Sequence, residues 1–144
     1  MYFNDLTLGM AVEIAPATIE KEKMIEFART YDNIPLHTDE GYAKASPFGQ
    51  LIAPGVMSFM SVWAKYLEVD FFGRELLAGK STKIEWHKPV YAKDLLSGKA
   101  VITKLVQRSA RNGLVEITIE AYNQHNDLVL SNVTEAIVKC REDR

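Results

Sequence analysis

Hydrophobic and polar residues follow two different periods along this chain, so its two halves predict different structures. Residues 11–18 alternate loosely and predict a first strand. After them, apolar side chains recur at the spacing of one helix face, at Met24, Phe27, Ala28 and Tyr31. This stripe predicts a helix, and Thr18 is the candidate for its N-cap.

Two further helices are predicted in the first half. A short one runs through Tyr42 and Ala45, with Thr38 as its candidate N-cap, and ends before Pro47. A longer one covers residues 56–67, after a segment that two glycines and a proline keep irregular. Because residues 56–67 are apolar on nearly every face, we expect this helix to be buried on most sides.

The second half is rich in Val, Ile and Thr and predicts four strands, at residues 77–86, 95–104, 113–123 and 128–139. Asn112-Gly113 and Asn126-Asp127 supply turn residues between strands, so we expect an antiparallel meander. Helices followed by strands indicate an α+β fold, in which the sheet packs against the apolar helix.

Composition narrows the classes of function. The 144 residues suffice for one domain over residues 1–144, and 47% of them are hydrophobic, which argues against disorder. With 17 basic and 19 acidic side chains the net charge is −2, so we expect no nucleic-acid partner. No apolar run reaches the roughly 20 residues that cross a bilayer, and no secretory signal is visible. We therefore expect a cytoplasmic protein without a membrane partner.

Cysteine and histidine give no sign of a metal centre. Cys140 is the only cysteine, which excludes a disulfide within the chain and a cysteine-based zinc site. The three histidines lack metal-ligand spacing, so we expect no metal.

The connection from Asp32 to His37 is the strongest candidate for chemistry. Pro35 fixes its own φ and pushes Ile34 out of the helical region, so the two ionisable residues lie on a stiff bend between helices. Two proton-transfer groups on such a bend can converge on one water or one substrate atom.

A family resemblance extends over nearly the whole chain. The following motifs resemble the signature of the MaoC-like dehydratases, the (R)-specific enoyl-CoA hydratases: Asp32-x-x-Pro35-x-His37-x-Asp39, Tyr42-Ala43, Phe48-Gly49 and Ile52-Ala53-Pro54-Gly55. Residues 83–94, where an aromatic and basic residues precede Pro-Val, are similar to the second landmark of that family. The resemblance implies a hot-dog fold, in which a long antiparallel sheet wraps a central helix.

The resemblance also implies a reaction, the reversible addition of water to a trans-2-enoyl thioester. Asp32 and His37 would hold the water that attacks C3, and the backbone N–H of Gly55 would stabilise the thioester enolate. A helix N-terminus independently offers free N–H groups and partial positive charge. An acyl-CoA substrate, no cofactor and a homodimer joined through sheet edges are expected.

Residues of the central helix and of the second landmark are candidates for substrate binding. Met57, Met60 and Trp63 offer the soft and aromatic surface that suits an acyl chain. Ser58 is a candidate for the same pocket, and Lys88 for a cationic rim that binds the CoA phosphates.

Three positions depart from the family pattern. Tyr31 and Pro54 replace a common glycine and a common histidine, and Ile34 stands where asparagine usually orders the catalytic pair. Two alternatives therefore stay open: a hot-dog thioesterase, in which Asp32 activates water against the thioester carbonyl, and a non-catalytic acyl-CoA binding module. The Asp–His pair can also be purely structural.

Overall fold

The computed structural model describes residues 1–142, in which the chain forms five β-strands and four α-helices. The strands are β1 (Ala11–Thr18), β2 (Leu76–Trp86), β3 (Leu95–Gln107), β4 (Asn112–Tyr122) and β5 (Leu128–Lys139). The helices are α1 (Lys21–Tyr31), α2 (Pro35–Thr38), α3 (Glu40–Ala45) and α4 (Gly55–Glu68). The last two positions of the predicted domain, 143 and 144, lie outside the described residues.

The five strands form one antiparallel sheet in the order β1-β3-β4-β5-β2. The predicted meander is confirmed for β3, β4 and β5, and it is wrong for β2, which pairs with β5 at the sheet edge. The reason lies in the connection from β2 to β3. Its Lys93 N–H donates to Ile19 O at 2.7 Å, and Ile19 N–H donates to Asp94 O at 2.9 Å. These bonds tie the start of β3 to the end of β1, across the sheet from β2.

α4 is the expected central helix, and one stripe of it remains uncovered. Its buried residues are Met57, Ser58, Phe59, Val62 and Tyr66. Val56, Met60 and Leu67 are 47%, 48% and 50% exposed, and their spacing places them on one face. The prediction of burial on most sides is therefore wrong for that face. Within residues 1–142 no helix is both long and apolar enough to cross a membrane.

The structure corrects both predicted N-caps. Thr18 is the last residue of β1, and Glu20 precedes α1. Thr38 ends α2, whereas Asp39 caps α3 by accepting a hydrogen bond from the Tyr42 N–H at 3.0 Å. A carboxylate one residue after the predicted threonine performs the same function.

The two edges of the sheet differ in how they are protected. The β1 edge carries Pro16, which has no N–H to donate to a further strand. Both edge strands have an irregular register, between Ile14 and Ala17 in β1 and at two places between Leu76 and Ser81 in β2. The β2 edge is eleven residues long, and most of its side chains are exposed. A long uncovered edge of this kind is a template for a further strand.

The inner face of the sheet is covered unevenly, because α4 packs against β1 and β3. Two cavities lie between α4 and the uncovered β2. One is lined by Gly55 and Trp86, and the other, further along the helix, by Trp63 and Gly79. We call the space that contains both cavities the α4–β2 trough.

Candidate active site

The bend between α1 and α2 brings Asp32 and His37 together. Asp32 follows α1 directly, and its N–H donates to Ala28 O at 2.9 Å. Ile34 is extended, with φ −119° and ψ 153°, as the following proline requires. The single turn of α2 then places His37 Nε2 at 3.3 Å from Asp32 Oδ2.

A backbone carbonyl fixes the orientation of the imidazole. His37 is buried, and its Nδ1 lies 2.7 Å from Ile52 O. Because a carbonyl oxygen only accepts hydrogen bonds, Nδ1 carries the ring hydrogen. Nε2 is thus the nitrogen that exchanges protons with Asp32 or with a bound molecule. The Asp32 side chain is 43% exposed, so the pair is open to solvent from the carboxylate side.

Both side chains line a cavity of about 430 Å³ at the N-terminal end of α4. Gly55 and Ser58 of α4 line it as well, together with Trp86 at the end of β2. The remaining lining residues are Phe48, Ile52, Ala53, Val56, His87, Lys88, Pro89 and Val90. The cavity is therefore mostly apolar, with Asp32 and His37 on its wall.

The N-terminus of α4 supplies hydrogen-bond donors to this cavity. Gly55 is the first helical residue, and none of the described residues accepts a hydrogen bond from the backbone N–H of Gly55 or Val56. Unpaired N–H groups and the helix dipole together favour a negatively charged oxygen at this position.

Backbone hydrogen bonds hold the two sequence landmarks side by side. Ala53 N–H donates to Val90 O at 2.7 Å, and Ile52 forms an isolated antiparallel bridge with Tyr91. On the other side, Ile52 N–H donates to Leu36 O at 3.2 Å. The segment before α4 thus links the β2–β3 connection to the helical turn that carries His37.

A comparison with protein families decides the family. The sequence model described as MaoC like domain matches residues 4–124 of this chain. The chain belongs to the MaoC-like domain family. The predicted resemblance is thereby confirmed over most of the sequence.

Known proteins resemble this MaoC-like domain along nearly its whole length. Uncharacterized protein YdeM of Bacillus subtilis (strain 168) is 25% identical over 142 residues, which cover 96% of this chain and 99% of YdeM. The monoamine oxidase regulatory protein of Archaeoglobus fulgidus has a TM-score of 0.93 at 26% identity, covering 99% of this chain and 96% of that one. The R-hydratase PhaJ1 of Pseudomonas aeruginosa has a TM-score of 0.76 at 21% identity, covering 98% and 86%. The predicted hot-dog fold of class α+β is confirmed.

The structure distributes the predicted substrate-binding residues of the MaoC-like domain over several places. Ser58 and Lys88 line the cavity that contains Asp32 and His37. Met60 lines an adjoining groove of about 310 Å³, and Trp63 lines the second cavity of the α4–β2 trough, of about 250 Å³. Met57 is buried in the core and lines none of these three spaces.

Several residues of the cavity were not predicted from the sequence. Ile52 belongs to one of the family motifs, but it contacts His37 through its backbone carbonyl, which any residue type supplies, so the sequence does not reveal this contact. Phe48, Pro89 and Val90 belong to the family motifs, but only the fold shows that they face Asp32. Trp86 is the aromatic residue of the second landmark, but the sequence did not predict that it lines this cavity.

The other ionisable side chains that line the cavity have partners outside its lining. Lys88 Nζ lies 3.3 Å from Asp127 Oδ2, and His87 Nε2 lies 2.9 Å from Ser131 Oγ. Among residues 1–142, no group of three or more His, Cys, Asp or Glu side chains could hold a metal ion.

Tyr66 lines the second cavity of the trough, and burial raises its pKa from 10.0 to about 12. The folded state therefore favours the neutral phenol, and the stability that this gives is lost as pH rises from 10 to 12. In a pH-jump experiment read by phenolate absorbance, we expect a step near pH 12 from one of the six tyrosines. Tyr66→Phe should remove that step and Tyr122→Phe should retain it; the reverse result would contradict the assignment.

Proposed function

We propose that this MaoC-like domain catalyses the reversible addition of water to a trans-2-enoyl-CoA, giving an (R)-3-hydroxyacyl-CoA. One observation carries the proposal: the Asp32–His37 pair and the free N–H groups at the start of α4 line the same cavity. Membership in the family of MaoC-like dehydratases supports the reaction class. The resemblance to PhaJ1, at 21% identity, supports only the fold.

In the proposed mechanism, one water is held between Asp32 Oδ2 and His37 Nε2. Its oxygen forms a bond to C3 of the enoyl thioester, and its proton passes to the pair, at Nε2 if histidine is the base. The electron pair of the double bond moves through C2 to the carbonyl oxygen. As this oxygen returns the electron pair, C2 takes a proton from the Asp32–His37 pair, which regains its starting protonation state. The overall reaction adds one water across the double bond, and the reverse reaction eliminates it. General acid–base catalysis of this kind contributes about 10²–10⁴-fold in rate.

The enolate oxygen would bind at the backbone N–H of Gly55. Charge develops on this oxygen only as the reaction proceeds, so donors already in place stabilise the transition state more than the substrate. One such donor contributes about 3 kcal/mol. The mostly apolar lining of the cavity strengthens the interaction, because it keeps the local dielectric low.

Ile34 does not prevent this chemistry, because the pair is positioned without a side-chain amide. Ile52 O lies 2.7 Å from His37 Nδ1. The Asp32 N–H donates to Ala28 O, and the Asp32 carboxylate has His37 as its only polar partner among residues 1–142. We propose that these contacts take the place of the family asparagine. This observation favours the enzyme over the non-catalytic binding module.

The acyl chain is proposed to extend along the α4–β2 trough towards Trp63, about 12 Å from Gly55 at 1.5 Å per helical residue. Lys88 at the rim of the cavity would attract the CoA phosphates, with Asp127 as its competing partner.

Truncation of Trp63 tests where the acyl chain lies. Trp63→Ala is expected to increase kcat/KM for trans-2-octenoyl-CoA relative to crotonyl-CoA by about tenfold, because the enlarged cavity accommodates more methylene groups. Met60→Ala is the matched comparison, since Met60 lines the groove beside Asp32. A larger change in Met60→Ala than in Trp63→Ala would place the acyl chain in that groove.

We also propose that the domain forms a homodimer. The uncovered β2 edge would pair with its copy, and the exposed stripe of α4 would be covered in the same contact. Both surfaces border the α4–β2 trough, so the partner would help to close the site.

The reaction is tested by following the ultraviolet absorbance of crotonyl-CoA, with a thiol assay in parallel and chiral analysis of the product. Loss of absorbance without thiol release, and (R)-3-hydroxybutyryl-CoA as product, are expected. Release of CoA thiol would instead indicate a thioesterase. Binding of crotonyl-CoA without any turnover would indicate the binding module.

A further inference from the structure

Trp86 packs directly on the glycine that begins α4. It is the last residue of β2, opposite Leu130 of β5, and 49% of its surface is exposed. A Cβ atom built on Gly55 would lie 2.5 Å from Trp86 Cε2, 2.7 Å from Nε1 and 2.9 Å from Cζ2. Any side chain at position 55 would therefore overlap the indole, so the close approach needs glycine.

The same distances show how the ring is oriented. In the plane of an indole, a point beyond Cε2 lies closer to the neighbouring Nε1 or Cζ2 than to Cε2. Here Cε2 is the nearest of the three atoms, so the Cα of Gly55 lies over the face of the ring. The tryptophan is stacked on the first turn of α4.

This stacking places an apolar surface beside the free N–H groups of Gly55 and Val56. Trp86 also lines the cavity that contains Asp32 and His37. An aromatic wall next to hydrogen-bond donors excludes water from one side of them, and donors in such surroundings interact more strongly with a developing negative charge.

We infer that Trp86 is a positioning residue of this site: one part of its indole packs on the first residue of α4, and the part that lines the cavity forms the wall against which the bound thioester lies. The inference rests on the proposed function, because the thioester is the ligand that would occupy the cavity. It adds to that function a residue that the acid–base mechanism does not use.

Binding is tested with butyryl-CoA, a saturated thioester that cannot be hydrated, so that binding is separated from turnover. The chain has two tryptophans, and Trp63→Phe leaves Trp86 as the sole one. In this variant we expect a saturable blue shift of the emission, because the ligand covers a half-exposed ring. In Trp86→Phe only Trp63 emits, and this residue lies about 12 Å along α4 from Gly55, beyond the reach of a four-carbon acyl chain. Butyryl-CoA should therefore change the emission of Trp86→Phe much less.

Calorimetry distinguishes the two ways in which this test can fail. If Trp63→Phe binds butyryl-CoA and its emission does not change, the inference about Trp86 is wrong and the proposed function stands. If the wild-type protein does not bind butyryl-CoA, the proposed function fails and the inference fails with it.

Kinetics with crotonyl-CoA test positioning. Trp86→Ala is expected to lower kcat by about tenfold or more with a smaller change in KM, because the N–H donors become hydrated and mobile. Trp86→Phe should restore most of kcat, since phenylalanine keeps an aromatic face. Val106→Ala, a half-exposed strand residue that lines no part of the cavity, is the control. Equal kcat in Trp86→Ala and the wild type would overturn the inference, and so would a loss in Trp86→Phe as large as in Trp86→Ala.

Discussion

Asp32→Asn is expected to lower kcat for crotonyl-CoA hydration by about 10²–10⁴-fold, because the amide cannot take a proton from the attacking water. His37→Gln should cost a similar factor, since Nε2 is the only ring nitrogen free to exchange protons. Because the two groups act on one water, the double variant should lose little more than either single variant. Initial rates with saturating crotonyl-CoA measure all three.

Two controls keep this result interpretable. Asp39→Asn makes the same chemical change seven residues further along the chain, at the N-cap of α3, where asparagine also caps well. It should retain nearly full activity. Asp32→Asn should still bind butyryl-CoA, because the carboxylate serves the reaction rather than affinity. Full activity of Asp32→Asn would contradict the proposed mechanism. If the loss of kcat in the double variant equalled the product of the two single losses, the residues would act separately.

Leu67→Lys is expected to convert the proposed homodimer into a monomer. Leu67 lies on the uncovered stripe of α4 and is 50% exposed in the single chain. In the dimer its side chain would be buried, and an unpaired buried ammonium costs several kcal/mol. The dissociation constant should therefore rise by about 10³-fold or more. Sedimentation velocity over a range of protein concentrations measures this.

The matched control is Leu8→Lys, which adds the same charge at a leucine that is 65% exposed and lies on neither the α4 stripe nor β2. Its oligomeric state should equal that of the wild type. A wild-type protein that sediments as a monomer would refute the dimer outright. A Leu67→Lys protein that remains dimeric would show that the contact does not include α4.

Much of the secondary structure could be predicted because its signals are local. β1, β5 and α3 were predicted from periodicity and turn residues. The alternation of apolar and polar residues in β4 is typical of a strand with one buried face. The order of the strands in the sheet was harder to predict from the sequence. The position of β2 depends on hydrogen bonds between the β2–β3 connection and the end of β1, which no local pattern encodes.

The uncovered stripe of α4 shows a different limit of prediction from the sequence. An apolar residue such as Met60 has the same sequence signal whether its own chain or a second copy covers it. Periodicity therefore predicted a helix buried on most sides, and the single chain leaves one face open. The sequence identifies which residues avoid water without identifying what covers them.

The proximity of Asp32 and His37 could be predicted because proline and two ionisable residues occur within six positions of the sequence. The contact that orients His37 could not be predicted, because it is made by the backbone carbonyl of Ile52, which every residue type has. The contact of Trp86 with Gly55 could not be predicted either, for a different reason. It joins residues on two elements that are thirty-one positions apart, and only the absent side chain at position 55 allows it.

The unequal edges of the sheet limit how far assembly can proceed. In the proposed dimer, pairing through β2 would use the open edge of each copy and would leave two outer edges that both belong to β1. There, Pro16 has no N–H to donate to a further strand. Such a two-fold pair would be a closed assembly, and we expect the sheet not to continue into a filament at high protein concentration.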